Sequence, residues 1–139
     1  MRRLQGKQAV ITGACGGIGQ AACRIFCEEG ASVIGSDVVE DPGQELESEL
    51  RADGLYFSYV SCDVSSSAAV AALATVVRDR FGGLDVLYNN AGIILGKPLV
   101  EMTDEEWDRI LVVNLRGTFL TMRELVPLMA GRQASIVNM

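Results

Sequence analysis

Thr12-Gly13-Ala14-Cys15-Gly16-Gly17-Ile18-Gly19 follows directly on the apolar run Ala9-Val10-Ile11 and leads into a segment of helical spacing. Strand, glycine-rich turn and helix in that order form a junction suited to a dinucleotide pyrophosphate. Glycines let the backbone turn tightly and approach the phosphates, while the free N–H groups and positive dipole end of the helix face the negative charge. The pattern makes Gly13, Cys15, Gly17, Ile18 and Gly19 candidate cofactor contacts, Cys15 through its backbone. A second apolar run, Ser32-Val33-Ile34-Gly35-Ser36, ends on Asp37, the carboxylate expected about 20 positions beyond the glycine turn to grip the ribose hydroxyls. Either feature alone is a weak signal; the two strands and the acid at this spacing make a strong one.

The rest of the chain alternates strands and helices with short connections, and it carries no internal repeat or low-complexity linker. That order predicts an α/β fold, a doubly wound parallel sheet of Rossmann type. A first helix runs from about Gly17 to Glu29, with Ile18, Ala22, Ile25 and Phe26 at helical spacing. A second is introduced by Asp41-Pro42 as cap and first helical residue and runs to about Ala52, with Glu45, Glu47 and Glu49 as a solvated face. A third, Ser66 to Arg80, is expected to be capped by Ser65 and stopped by Gly82-Gly83. Thr103 and Glu106 have capping-box spacing, and a long helical region follows. Its apolar residues Leu111, Leu115, Phe119, Met122, Leu125, Val126 and Met129 cover more length than one sheet face needs, so they read either as core or as part of an oligomer interface.

Asn89-Asn90-Ala91-Gly92 follows the strand Leu84-Asp85-Val86-Leu87-Tyr88, and together with T-G-x-x-x-G-I-G it resembles the short-chain dehydrogenase/reductase family. Asp37, Asp63-Val64, Asn114 and Ile136-Val137-Asn138 fall at the family's relative positions, so the resemblance covers essentially the whole chain. It implies an NAD(H)- or NADP(H)-dependent oxidoreductase acting on a small-molecule alcohol or carbonyl, and a homo-oligomer. NAD is the expected cofactor, because Asp37 would repel a 2′-phosphate and no Arg or Lys stands in the glycine turn or at Val38-Val39. Val38, Asp63, Val64, Asn90, Ala91 and Gly92 join the cofactor set: Asp63 accepting from the adenine amino group, Val64 packing near the ring, Asn90 anchoring neighbouring strands and the ribose. For Asp63 a plain helix-entry turn is the other reading.

Asn114 is the catalytic candidate. The resemblance implies that it holds a water in a proton relay, whereas as a buried amide it could simply stabilise a kink beside Gly117. The family's serine and Y-x-x-x-K pair would fall beyond Met139, so residues 1–139 read as an incomplete dinucleotide-binding domain, inactive alone, without the catalytic and substrate-binding part. A naturally short, non-catalytic nucleotide-binding or interaction protein is the alternative. A methyltransferase shares the glycine turn and the second-strand acid, but Asn-Asn-Ala-Gly argues against it.

Composition narrows the partners. A net charge of −6 and a pI near 4.6 argue against nucleic acid and anionic membranes. Met1 to Lys7 is too short and polar for a signal sequence and no stretch reaches membrane-spanning length, so a cytoplasmic, soluble protein is expected. With no histidine and no C-x-x-C pair among four cysteines, neither a metal site nor a Ser-His-Asp relay is expected. Cys23, Cys27 and Cys62 read as small buried residues, and Cys15 as either a thiol activated by the helix end or an inert loop residue. Any side chain at Gly13 or Gly19 is expected to intrude on the pyrophosphate or on the helix–strand contact, with Gly19→Val losing cofactor but not fold.

Overall fold

The computed structural model describes residues 2–139. Five parallel strands form one sheet in the order β3-β2-β1-β4-β5: β1 Gln8–Thr12, β2 Ser32–Asp37, β3 Phe57–Ser61, β4 Val86–Asn89 and β5 Ser135–Asn138. The doubly wound arrangement expected from the alternating pattern is therefore present. Strand order reverses direction between β1 and β4, and the crevice at that switch point is where such sheets bind ligands.

The central strands are apolar on both faces, as burial between two helical layers requires. On one side α1 (Gly17–Glu28) and α2 (Glu40–Ala52) cover Ala9, Ile11, Val33 and Phe57; on the other α3 (Ser67–Phe81) and α5 (Gly117–Leu125) cover Val10, Ile34 and Leu87. The face that α1 buries is not the one its large residues suggest. Gly19, Cys23 and Cys27, four residues apart, lie inward, while Ile18 is 61% and Ile25 49% exposed. Small residues let this helix sit close to the strands, and only Ala22 and Phe26 of the expected stripe pack against the core. Burial pushes the Cys23 and Cys27 thiols up, the latter to about 12, so they behave as apolar filler.

Three local expectations shift. Helix α2 begins at Glu40 with Val39 as its cap, so Pro42 occupies the third helical position, where its missing N–H would have had no helical partner in any case. Ser66, not Ser65, caps α3 by accepting from the Ala69 N–H, and Gly82 ends the helix at φ +69°. Glu47 is not merely a solvated charge: its carboxylate accepts from the Tyr59 N–H at 2.7 Å and pairs with Arg51, while Glu49 and Asp53 both bind Arg24 of α1.

The capping box at Thr103 forms as expected and starts α4 (Asp104–Leu111). The long helical region then loses its α-helical ladder: Val112–Arg116 is a π-helical turn, α5 follows, and Val126–Met129 closes it as a 3-10 turn. Of the apolar residues along it, Leu125 and Met129 are buried, whereas Leu115 is 66% and Phe119 57% exposed. At the end of the sheet remote from the crevice, Asp85 is buried and bound by Arg132, whose Nε and Nη2 donate to its two oxygens at 3.0 Å each, and by the Gln8 N–H at 2.9 Å. This clamp joins β1, β4 and the approach to β5.

Candidate functional site

The crevice beyond the C-terminal ends of β1, β2 and β4 holds a cleft of about 570 Å³, within the range of small-ligand sites. It is lined by Gly13, Gly16, Gly17, Ile18 and Gly19 from the turn into α1; by Ser36, Asp37 and Val38 from the end of β2; and by Asp63, Val64, Asn90, Ala91 and Gly92. Apart from Gly16 and Ser36 these are sequence-expected contacts, and they converge on one surface. Cys15 and Asn114 do not line it.

The glycines divide into two kinds. Gly13, at φ +66°, leaves no room for a side chain, since a Cβ there would sit 2.8 Å from Ala91 Cα and 2.9 Å from Asn90 Nδ2. A Cβ on Gly19 would strike the Gly13 carbonyl oxygen and approach Ala14 Cα to 2.9 Å. A Cβ on Gly17 would meet nothing within 4 Å, because that position opens into the cleft. The Gly16 cap of α1 makes no side-chain hydrogen bond and the first turn has no acid, so the helix end presents its N–H groups without competition.

This corrects the expectation for Gly19→Val. Its side chain would collide with the turn itself, so the expected outcome is a loss of stability of ~1–3 kcal/mol, the usual cost of overpacking. Gly17→Val, by contrast, should melt within a few degrees of the native chain yet bind dinucleotide at least tenfold more weakly. Thermal unfolding and calorimetric titration of the two variants check this, and native affinity in Gly17→Val would move the phosphate site elsewhere.

Thr12 organises the site although sequence reading assigned it no role. Its buried hydroxyl accepts from the N–H groups of Asn90 (3.1 Å) and Ala91 (3.0 Å), while Asn90 Nδ2 donates to the carbonyls of Thr12 and Gly13, both at 3.1 Å. The turn after β4 is thereby locked to the glycine turn after β1. The strand anchoring expected of Asn90 is this pair of bonds.

Asp37 is half-buried. One carboxylate oxygen accepts from the Cys15 N–H at 3.0 Å and the other from the Val38 N–H at 2.7 Å, so the acid is tied to the glycine turn. Cys15 consequently spends its N–H on Asp37. Burial, reinforced by that carboxylate, pushes the Cys15 thiol up to about 11, and the reading of an activated thiol does not hold. Asp63 makes the helix-entry turn: its Oδ1 accepts from the Ser65 N–H (2.8 Å) and hydroxyl (2.7 Å), and its side chain also lines the cleft. Val64 is buried against Gly117, where a Cβ would lie 2.8 Å from Val64 Cγ2.

Asn114 sits within the π-helical turn. Its amide is paired with the backbone of Ile93, accepting at 2.8 Å and donating at 3.0 Å, and this pins the segment after Asn-Asn-Ala-Gly to the helix. Each amide atom retains capacity for one more hydrogen bond. Arg109, Val112, Val113 and the buried Ser36 hydroxyl also line the cleft, and sequence reading missed all four. The hydroxyl of Ser36 has no partner within the described residues.

A doubly wound parallel sheet with a glycine turn at its switch point defines a Rossmann-type α/β fold. Residues 7–139 match the short chain dehydrogenase family, and the chain belongs to it. It is 42% identical over 139 residues to the uncharacterized oxidoreductase YxbG of Bacillus subtilis (strain 168), covering 99% of this chain and 51% of that protein. It is 43% identical over 141 residues to momilactone A synthase of Oryza sativa subsp. japonica, covering 99% and 50%. A crystal structure of a short chain dehydrogenase from Mycobacterium smegmatis superposes with a TM-score of 0.92 at 41% identity, over 99% of this chain and 58% of that one. The chain thus spans about half the length of the curated relatives it matches.

Proposed function

We propose that this chain binds NAD(H) and forms the cofactor-binding part of an oxidoreductase that acts on an alcohol or carbonyl of a small molecule. The observation that carries the reading is the uncapped N-terminus of α1 opening at the switch point, with the Asp37 carboxylate on the same cleft. The fit to a dinucleotide rests on space as well as on charge: Gly17 leaves the mouth of the helix open, and Gly13 and Gly19 permit the tight turn behind it.

In this reading the N–H groups at the start of α1 hold the pyrophosphate, and Asp37 accepts from the adenosine ribose hydroxyls. Asp63 and Val64 receive the adenine, and Thr12 holds Asn90, Ala91 and Gly92 in place along the cleft. Asn114 keeps Ile93 fixed and has the spare hydrogen-bonding capacity to hold a water for proton transfer. The bound nicotinamide supplies hydride chemistry; the proton must come from groups outside these residues.

Calorimetric titration with NAD and NADP tests the cofactor. NAD is expected to bind at least tenfold more tightly, because the Asp37 carboxylate gains two hydroxyl partners with NAD and would repel a 2′-phosphate. Arg109 is the cation that lines the cleft, so Arg109→Ala belongs in the same experiment. Equal or tighter NADP binding, lost with Arg109, would overturn the assignment.

The exposed apolar stripe that runs from α4 through the π-helical turn and α5 to the 3-10 turn supports self-association. Trp107, Leu115, Phe119 and Val126 lie outside the core, and an apolar face of this kind marks an interaction surface. Sedimentation is expected to show an oligomer that Phe119→Glu shifts toward monomer. A monomeric native chain at tens of micromolar would remove the proposal.

A further inference from the structure

Tyr59 lies on β3, an edge strand whose residues do not line the dinucleotide cleft, yet its hydroxyl is within 2.8 Å of the Asp37 carbonyl and 2.6 Å of the Val39 carbonyl. The phenol carries one proton, so it donates to these two acceptors as a shared or alternating bond. The first carbonyl ends β2 and the second belongs to the short link, residues 38–39, between β2 and α2. That link has no side-chain cap: Val39 occupies the cap position and offers none. Tyr59 supplies no acceptor for the helix N–H groups; it holds this segment by donating to its carbonyls from below.

The fit of the ring is specific. A Cβ on Gly43 of α2 would strike the Tyr59 ring at three atoms, so the absent side chain is what lets the ring pass beneath the helix. Glu47, one turn further along α2, accepts from the Tyr59 N–H at 2.7 Å and holds the strand to the same helix. Burial, with Cys15 and Asp37 nearby, pushes the phenol well above its ordinary value, so it stays a protonated donor across the working pH range.

The carboxylate of Asp37 is held on its other side by the Cys15 and Val38 N–H groups. The Asp37 carbonyl is also held by the Cys62 N–H at 2.8 Å, so the contact that Tyr59 alone supplies is the one to the Val39 carbonyl, which ties the link beyond Asp37 to β3. We propose that Tyr59 is a positioning residue for nucleotide selectivity, its hydroxyl holding the Asp37–Val39 link so that the carboxylate faces the ribose 2′- and 3′-hydroxyls and excludes a 2′-phosphate. The inference rests on the reading of the cleft as an NAD(H) site.

The test is the ratio of NAD to NADP affinity, measured by calorimetry on the native chain, Tyr59→Phe, Gly43→Ala and Asp37→Ala. A purely structural role would weaken both cofactors alike and leave the ratio unchanged. Tyr59→Phe is expected to weaken NAD about tenfold while NADP changes less than threefold, moving the ratio toward that of Asp37→Ala. Gly43→Ala displaces the ring while keeping the hydroxyl and should shift the ratio in the same direction, which keeps the test open if removing the hydroxyl unfolds the chain. A native preference for NAD that is lost in Asp37→Ala but survives within twofold in folded Tyr59→Phe and Gly43→Ala would overturn the role of Tyr59 alone. A native chain with no such preference would overturn the cofactor reading, and this inference with it.

Discussion

Asp85→Ala is expected to destabilise the chain by ~3 kcal/mol, a large share of the roughly 5–15 kcal/mol that holds a typical domain folded. The carboxylate is buried and takes a two-pronged bond from Arg132 and a third from the Gln8 N–H, with Lys7 Nζ 4.0 Å away. Removing it leaves the Gln8 N–H without its acceptor and Arg132 without its anion. Arg132 is partly exposed and can recover water, which places the loss below that of a fully buried pair. For a chain of this size the melting temperature should fall by about 10 °C. Arg132 holds the Asp85 carboxyl below its ordinary value of 3.8, so the stabilisation is complete above that value and is lost as pH falls through the lower value in the folded chain. Thermal melts at pH 7 and pH 3 should therefore differ less in Asp85→Ala than in the native chain. An unchanged melting temperature at pH 7 would mean that the clamp contributes nothing.

The parts of this molecule that the sequence makes legible are those where a residue type is needed for a backbone reason. Gly13 has a positive φ, Gly82 ends a helix at φ +69°, and Thr103 with Glu106 closes a capping box; each follows from local chemistry. The three strands that carry the cleft, β1, β2 and β4, are apolar runs that end at Thr12, Asp37 and Asn89. The interruption at Asn114 is also local, since a polar amide in an apolar run needs partners and finds them on Ile93.

What the sequence obscures depends on which side of an element faces inward. Helix α1 buries glycine and cysteines and leaves two isoleucines outside, because close approach to the sheet outweighs side-chain size there. Glu47 looks like one of several surface acids until β3 supplies the Tyr59 N–H. Arg109 lines the cleft from α4, and no spacing in the chain announces that. Tyr59 reads as an ordinary strand aromatic, and its partners at Asp37, Val39 and Gly43 become visible only in three dimensions.

A polypeptide of these 139 residues is expected to bind dinucleotide without measurable hydride transfer to any alcohol or carbonyl. Transfer to or from a carbonyl needs a proton at the substrate oxygen, and positioned acid–base help is typically worth about 10²–10⁴-fold. The chain has no histidine. Of its tyrosines, Tyr59 is committed to two carbonyls, Tyr88 stacks on Phe26 at 6.3 Å, and Tyr56 is exposed beside the start of β3, away from the cleft. Its two lysines are engaged elsewhere: Lys7 lies beside Asp85, and Lys97 is held by Glu106 at 2.9 Å. The titratable side chains that do line the cleft are Asp37, Cys62, Asp63 and Arg109, and burial pushes the Cys62 thiol up, away from neutrality. Asp37 and Asp63 are tied to the N–H groups of Cys15, Val38 and Ser65, so orientation of the nicotinamide would be the whole contribution of these residues. An alcohol-oxidation screen with NAD on material of verified mass, run beside a binding titration, decides the matter. Binding with turnover below detection is the expected pair of results. Robust turnover by the 14.9 kDa chain would show that a proton donor exists within these residues.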